Sequence, residues 1–448
     1  MKRFFTLFSV IFVIVASYAA KKEAYDYRPV RSGGLLWQIE NNWIISNTEN
    51  NFDANKSALF DQDVRGMAAK DGIMYFINRQ TMSLMRVDGK TGDMLEPLIL
   101  QGTDTLFKTK NAEGVWEPAT TLPYNDIKFD QAGNCLIGAC ITGASKCQTF
   151  FIYVVDLATG KCTKLIEDVL WDNPGLYQVQ FRFGSFGVAG DVTKDGVVMA
   201  ADANGSWNVY RWLITDGVAG EGEQIAVKLD PAVDQSLFIN AAGYGTYPQI
   251  FPQDMEGSLF YVDGFNTLPM LFYGNPAEGA NLVDDFINVP SGVKVWNNGN
   301  DTISMTTNFN GLVEFNINDD YFLLMAATHN THNIPTSFAL YKFADEGRYF
   351  DDMEPLWYFP HNGLGSTTNG CRTAVPSVDV VNETTATLYI YANNNGYAAY
   401  TFTIDPSKGN TAVEDIEAVK IEAKKVIENG QLIIEKNGVK FNALGATL

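Results

Sequence analysis

A pattern of about 62 residues recurs six times along this chain, and it constrains the fold more than any other feature. A short apolar or alternating run, a turn and a strongly apolar run occupy residues 68–76, 127–137, 188–199, 250–262, 312–325 and 375–391. The turns within them are Asp71-Gly72, Ala132-Gly133, Asp195-Gly196, Glu256-Gly257, Asp319-Asp320 and Glu383-Thr384. Their second residues are spaced by 61, 63, 61, 63 and 64 positions. Each unit continues into a third run rich in aromatic and β-branched residues, such as Phe151-Ile152-Tyr153-Val154 and Val209-Tyr210-Arg211-Trp212. Such residues suit a pleated, half-buried surface. In two units the segments 88–92 and 156–160 follow, where Asp88 and Asp156 cap a turn and Gly92 and Gly160 supply the positive φ that leads back into a fourth strand.

Four antiparallel strands, repeated with no amphipathic helix between units, can bury their faces only by packing unit against unit. Radial closure satisfies that requirement without leaving the bare edges of six separate sheets. The expected fold is an all-β β-propeller over residues 25–406. Residues 25–405 number 381, which is six units at this period, or seven blades if residues 25–60 hold more than one strand. The last unit runs out after Phe402, whereas Leu35-Leu36-Trp37-Gln38-Ile39 and Trp43-Ile44-Ile45 precede the first turn. The N-terminal strand is therefore expected to complete the final blade.

The two ends carry different signals. Lys2 and Arg3, the apolar residues 4–16 and Ser17-Tyr18-Ala19 read as a secretory signal over residues 1–20, too short to span a bilayer permanently. No later stretch is long and apolar enough to span one, and no cysteine near the cleavage point offers a thiol for acylation, so soluble export to the periplasm, the cell surface or the medium is expected. Loss of Lys2 and Arg3 takes the net charge from −20 to −22. A surface this acidic repels phosphate backbones, which argues against nucleic acid. It is compatible with Ca²⁺, although surplus Asp and Glu ordinarily form a solvated, self-repelling surface; no cofactor is expected. Of five cysteines, Cys135, Cys140, Cys147 and Cys162 fall within 28 residues and Cys371 stands apart. They lack the paired C-x-x-C steps of a zinc site, and their alternation with Leu, Ile and Phe reads as small core residues.

In the second unit, Asp130-Gln131-Ala132-Gly133-Asn134 followed by the turn over 156–160 resembles the D-x-x-G-N and D-x-x-T-G punctuation of NHL-like bacterial propellers. A linker over 407–424 leads to a tail over 425–448. There Leu432-Ile433-Ile434 and Val439-Lys440-Phe441 flank Lys436-Asn437-Gly438, a strong hairpin signal. With Asn442 and Leu444-Gly445 following, the tail resembles the C-terminal sorting signals read by type IX secretion machinery in Bacteroidetes. That resemblance implies attachment at the outer surface, and the whole chain resembles the uncharacterised exported propellers of that phylum.

If the strands run outward from the axis, the first-to-second and third-to-fourth turns share one face and the second-to-third loops share the other. The first face carries short Asp-Gly and Thr-Gly reversals. The second carries Asn78-Arg79-Gln80, Asp202-Ala203-Asn204-Gly205-Ser206-Trp207, Asp263-Gly264-Phe265-Asn266, His329-Asn330-Thr331-His332-Asn333 and Asn393-Asn394-Asn395-Gly396. Amide, aromatic and imidazole groups on loops over a rigid scaffold are materials of a binding site, though Asn and Gly also simply make turns. Arg79, Asn204, Trp207, Asn266, His329 and His332 are the candidates there. Arg65, Asp126 and Arg372 precede their innermost strands and are candidates for the channel mouth, or for ion pairs between blades. All three histidines lie between 329 and 361; they can hold a metal or move protons, but a three-residue step in a loop lacks enforced geometry. No G-x-S-x-G elbow, P-loop or G-x-G-x-x-G occurs. The expected function is recognition of an extracellular glycan or peptide through the loop face. The alternative is a hydrolase or lyase at the channel mouth, with or without a metal, using Asp126 or the histidine loop.

Overall fold

Along a strand, successive side chains leave opposite faces, and in Ile73–Asn78 both faces find an apolar partner. Met74 and Phe76 join a buried cluster with Val375, Tyr389 and Tyr391 of the last repeat. Tyr75 and Ile77 join another with Ile127, Ile137, Phe151 and Tyr153 of the second. The second repeat behaves in the same way: Leu136, Phe150 and Ile152 turn forward onto Phe186, Val198, Tyr210 and Trp212 of the third, where the rings of Phe150 and Trp212 stack at 4.5 Å. Strands dry on both sides have no use for alternating polar residues, which is why these runs are apolar throughout.

A computed structural model of the chain describes residues 20–46, 64–141, 148–169, 182–203, 207–229, 244, 247–264, 267–285, 294–297, 302–304, 311–328, 336–344, 348–365, 374–393, 395–405, 423–428, 431–436 and 439–442. Residues 1–19, where the secretory signal is expected, Cys147, Cys371 and most of the expected linker lie outside these residues. Among them the repeats form quartets of antiparallel strands. The first sheet is Met67–Lys70, Ile73–Asn78, Ser83–Asp88 and Met94–Ile99; the second is Leu122–Phe129, Cys135–Cys140, Thr149–Val155 and Cys162–Val169. The third is Gly187–Gly190, Gly196–Ala201, Asn208–Thr215 and Glu223–Lys228, with the short Val218–Ala219 paired to Asn208–Thr215; the fourth is Gln249–Pro252, Leu259–Gly264, Thr267–Asn275 and Gly279–Asp285, and the two are joined at their outer edges by parallel pairing of Val227 and Lys228 with Ala280 and Asn281. The fifth is Leu312–Ile317, Asp320–Thr328, Ser337–Lys342 and Glu354–Phe359. The sixth takes three strands from its own repeat, Ala374–Asn382, Thr385–Ala392 and Gly396–Asp405, and a fourth, Leu35–Ser46, from the N-terminus, with the short Val30–Ser32 at the edge beyond it. The fold is a β-propeller. Among the described residues no helix is long and apolar enough to cross a membrane.

The N-terminal strand is held by more than its ladder. Trp37 is fully buried, stacked on Phe402 at 5.5 Å and edge-on to Phe322 at 4.9 Å, while Trp43 donates its indole N–H to the Gly89 carbonyl at 2.9 Å. Just upstream, the buried carboxylate of Glu23 accepts from the hydroxyls of Tyr27 and Tyr400, both at 2.9 Å, and from the backbone N–H of His361 at 2.6 Å. Tyr25 stacks on His361 at 4.0 Å. Residues 23–27 are thus pinned to the fifth and sixth repeats.

The turns are where Asp and Gly place them. Asp88 Oδ1 accepts from the N–H groups of Lys90 and Thr91, and Asp156 accepts from Ala158 N–H and the Thr159 hydroxyl, which is the capping expected from the motif. Two positions need correction: Gly196 already opens the strand Gly196–Ala201, so the third reversal lies within residues 191–195, and the fifth turn is Asn318-Asp319, with φ of 52° and 62°, Asp320 opening the next strand. Two consecutive left-handed residues make the reversal that fits the strand twist, and Asn318 takes the first of these positions. Cys135 is buried and Cys162 partly so, both as free thiols, and burial pushes Cys162 up to about 11. The C-terminal unit is a three-stranded antiparallel sheet of Ala423–Glu428, Gln431–Lys436 and Val439–Asn442, in which Lys436 pairs with Val439 across the expected hairpin.

Glu23→Ala is expected to lower stability by roughly 2–4 kcal/mol, because it leaves two buried phenols without their acceptor; urea unfolding measures it, and an unchanged midpoint would show the N-terminal anchor to be idle. Asp319→Gly should raise the midpoint, by about 1 kcal/mol, by relieving a left-handed non-glycine residue.

Candidate functional site

Among the described residues, the innermost strands of these sheets line a cavity of about 610 Å³. Its wall draws on Met67–Lys70, Leu122–Phe129, Gly187–Gly190, Gln249–Pro252, Leu312–Ile317 and Ala374–Asn382, together with turn residues such as Gln131 and Gln253. Charges of both signs reach it: Lys70, Lys128 and Arg348 against Asp130, Glu314 and Asp379, with Phe129, Phe251 and Tyr321 among them. On one side Glu314 accepts from the Arg348 guanidinium at 2.6 Å and from the Tyr261 hydroxyl at 2.9 Å, and Arg348 lies 5.0 Å over the Tyr321 ring. Burial, and then the Glu314 charge, hold the Tyr261 phenol well above its ordinary range, so it stays a donor. The wall thus offers a polar ligand preset donors and acceptors beside apolar ring faces.

Close to the axis the polar groups are almost fully buried and mostly engaged. Asp126 lies inside the strand Leu122–Phe129 instead of before it, and is 1% exposed. Its Oδ1 accepts from its neighbour Ile127 N–H at 2.9 Å and from Lys128 Nζ at 3.2 Å; its Oδ2 accepts from the Ser185 hydroxyl and from Phe186 N–H at 3.3 Å. Asn125 donates to the Gly184 carbonyl at 3.1 Å and to the Tyr247 hydroxyl at 3.2 Å. Asp263 Oδ2 accepts from Gly311 N–H at 2.9 Å, and Asn393 donates to the Val64 carbonyl. Apart from the bonds of Asp126 to its own strand neighbours Ile127 and Lys128, these contacts tie one repeat to a later one, and the Asn393 contact closes from the last repeat to the first. They are stitches between blades, in which carboxylates and amides satisfy backbone groups that sheet ladders cannot reach. Glycine makes the approach feasible: a Cβ on Gly66 would sit 2.7 Å from the Cα of Asp126.

The sequence candidates fall as follows. Arg65 directly precedes Met67–Lys70 and is partly buried; Arg79 is partly buried beyond Asn78. Asn78 Oδ1 caps the following turn through Gln80 and Thr81 N–H, so that amide is a turn-maker. Trp207 is half-buried with its ring edge-to-face against Tyr244 at 4.9 Å. Asn204, Asn266, His329, His332 and Arg372 lie outside the described residues. Among the described residues no three His, Cys, Asp or Glu side chains converge in a metal-binding group. The structure brings Asp126, Lys128, Ser185 and Asp263 into one axial region, and only the first was singled out from sequence. A signal was present: a polar residue stands six positions after the turn marker in three units, as Asn78, Asp202 and Asp263, and all three are fully buried.

Residues 120–236 match the model of a domain of unknown function, DUF8500. No curated protein matches the sequence. Among solved structures, a DUF4623 family protein from Bacteroides eggerthii shares the fold, with a TM-score of 0.57 at 13% identity over 86% of this chain and 78% of that one. More distant are the PQQ-bound aldose sugar dehydrogenase of Streptomyces coelicolor (TM-score 0.40, 13% identity, 84% and 100% covered) and the calcium-binding protein regucalcin of Agrobacterium tumefaciens (0.36, 11%, 76% and 90%).

Burial pushes the Asp263 carboxyl up to about 7, against the opposing pull of the Gly311 hydrogen bond and of Lys128. A carboxyl raised on folding contributes stability that is full below about pH 4 and is lost as pH rises through its folded value. The stability of the wild type relative to Asp263→Asn should therefore fall between about pH 4 and 7 and level off above, as read by urea unfolding across that range; a flat difference would mean that the carboxyl is not raised.

Proposed function

We propose that this protein is an exported binding module that recognises an extracellular glycan or peptide, seated in the central cavity. One observation carries the reading. The buried axial carboxylate Asp126 has both oxygens occupied by groups that hold the fold together, whereas the cavity beside it presents paired charges and aromatic faces along strands that cannot rearrange cheaply. General acid–base or nucleophilic chemistry needs a group that reaches the substrate; recognition needs only a preformed, complementary wall. The secretory signal at the N-terminus and the sorting-like tail support placement outside the cytoplasm, at the cell surface or released from it.

The seat is assigned to the cavity and not to the loop face because Trp207, the aromatic anchor expected there, is packed against Tyr244. Binding to arrays of extracellular glycans and peptides, followed by titration of any positive, tests this. Val378 lines the cavity and is partly exposed, so Val378→Trp should weaken binding at least tenfold by filling it, and Trp207→Ala should change it less than threefold. The reverse order would move the seat to the loop face, and binding to neither class of polymer would overturn the reading.

A further inference from the structure

Gln249 and Asp263 stand directly opposite one another on the first two strands of the fourth sheet. Side chains at such a pair leave the same face with Cβ atoms about 5 Å apart. Both are buried, at 1% and 0% exposure. Asp263 engages Oδ2 with Gly311 N–H, but its Oδ1 has no partner, and neither has Nε2 of Gln249. Buried polar atoms are rarely left unpaired, so an acceptor and a donor orphaned at one register position call for a third group that serves both. Gln249 lines the central cavity beside Lys128, whose ammonium is bonded to Asp126 at 3.2 Å and acts electrostatically on Asp263.

We propose that Gln249 Nε2 and Asp263 Oδ1 form a subsite for a hydroxyl group of a neutral carbohydrate bound in the central cavity. The inference rests on the cavity being the seat of recognition and narrows the ligand to a sugar. A hydroxyl matches the pair with a single oxygen: it accepts from Nε2, and it donates to Oδ1 when the carboxyl is ionised or accepts from it when the carboxyl is protonated. A peptide group carries its N–H and C=O on opposite edges and cannot serve both at one point. An anionic sugar is disfavoured because Lys128, the cation that acts on Asp263, is already paired with Asp126.

The test uses the full mature chain with methyl glycosides of glucose, galactose, mannose and xylose, by saturation-transfer NMR and calorimetry. Saturable binding of at least one glycoside is expected, weakened tenfold or more in both Gln249→Met and Asp263→Asn. The urea midpoint of Gln249→Met should not fall, since a donor without a protein partner is replaced by an apolar group of similar length. Glycoside binding that survives both variants but is lost in Val378→Trp would overturn the subsite and leave the cavity as the seat. Peptide binding in place of glycoside binding would do the same. A crystal soaked in glycoside that shows only an undisplaced water between Gln249 and Asp263 would overturn it as well. Failure of every glycoside and peptide to bind would remove both this inference and the function it rests on.

Discussion

Everything in this molecule depends on sheets packing against sheets with both faces dry. The strand Ile73–Asn78 shows the consequence in miniature: Phe76 reaches Tyr391 of the last repeat with ring centroids 5.1 Å apart, while Tyr75 reaches Phe129 of the second at 5.4 Å. A repeat removed from its neighbours would expose two apolar faces at once, a loss of stability far larger than a single domain's margin. Closure follows, because a terminal repeat with one open face carries the same penalty. The chain meets it by returning Leu35–Ser46 to the last sheet, where Trp37 and Trp43 bury their rings against Phe402 and Tyr397.

The same packing creates a problem at the axis, where the innermost strands converge and backbone groups at strand entries lose both ladder and water. Short polar side chains answer it. Asp126 reaches Ser185 and Phe186, Asp263 reaches Gly311, and Asn393 reaches Val64. A carboxylate so engaged is a structural element whatever its distance from a cavity. Asn125 and Asn393 each leave one oxygen unpaired as well, but Gln249 Nε2 and Asp263 Oδ1 differ in standing at one register position, a donor facing an acceptor.

How much was legible beforehand differs between fold and site. Period, strand character and turn chemistry are local properties, and they gave the units, their order and the returning N-terminal strand; the slips at Asp195-Gly196 and Asn318-Asp319 came from choosing between adjacent turn formers. The axial region was less legible. Lys128, Ser185 and Gln249 are unremarkable in sequence, since each belongs to a different repeat and no spacing links them. Asp126 was noticed for its position before an apolar run, but whether a carboxylate faces solvent or a neighbour's backbone depends on a blade 59 residues further along the chain.

The amino-acid string by itself determined that this chain must be a closed set of β-sheets, because only mutual burial hides runs apolar on both faces, and it determined the turns, because Asp, Asn and Gly at those points admit few other conformations. Tertiary structure alone decided which polar groups are used up and which are left over. Hydrogen bonds across repeats join residues tens to hundreds of positions apart, and their satisfaction depends on a few tenths of an ångström that no local pattern encodes.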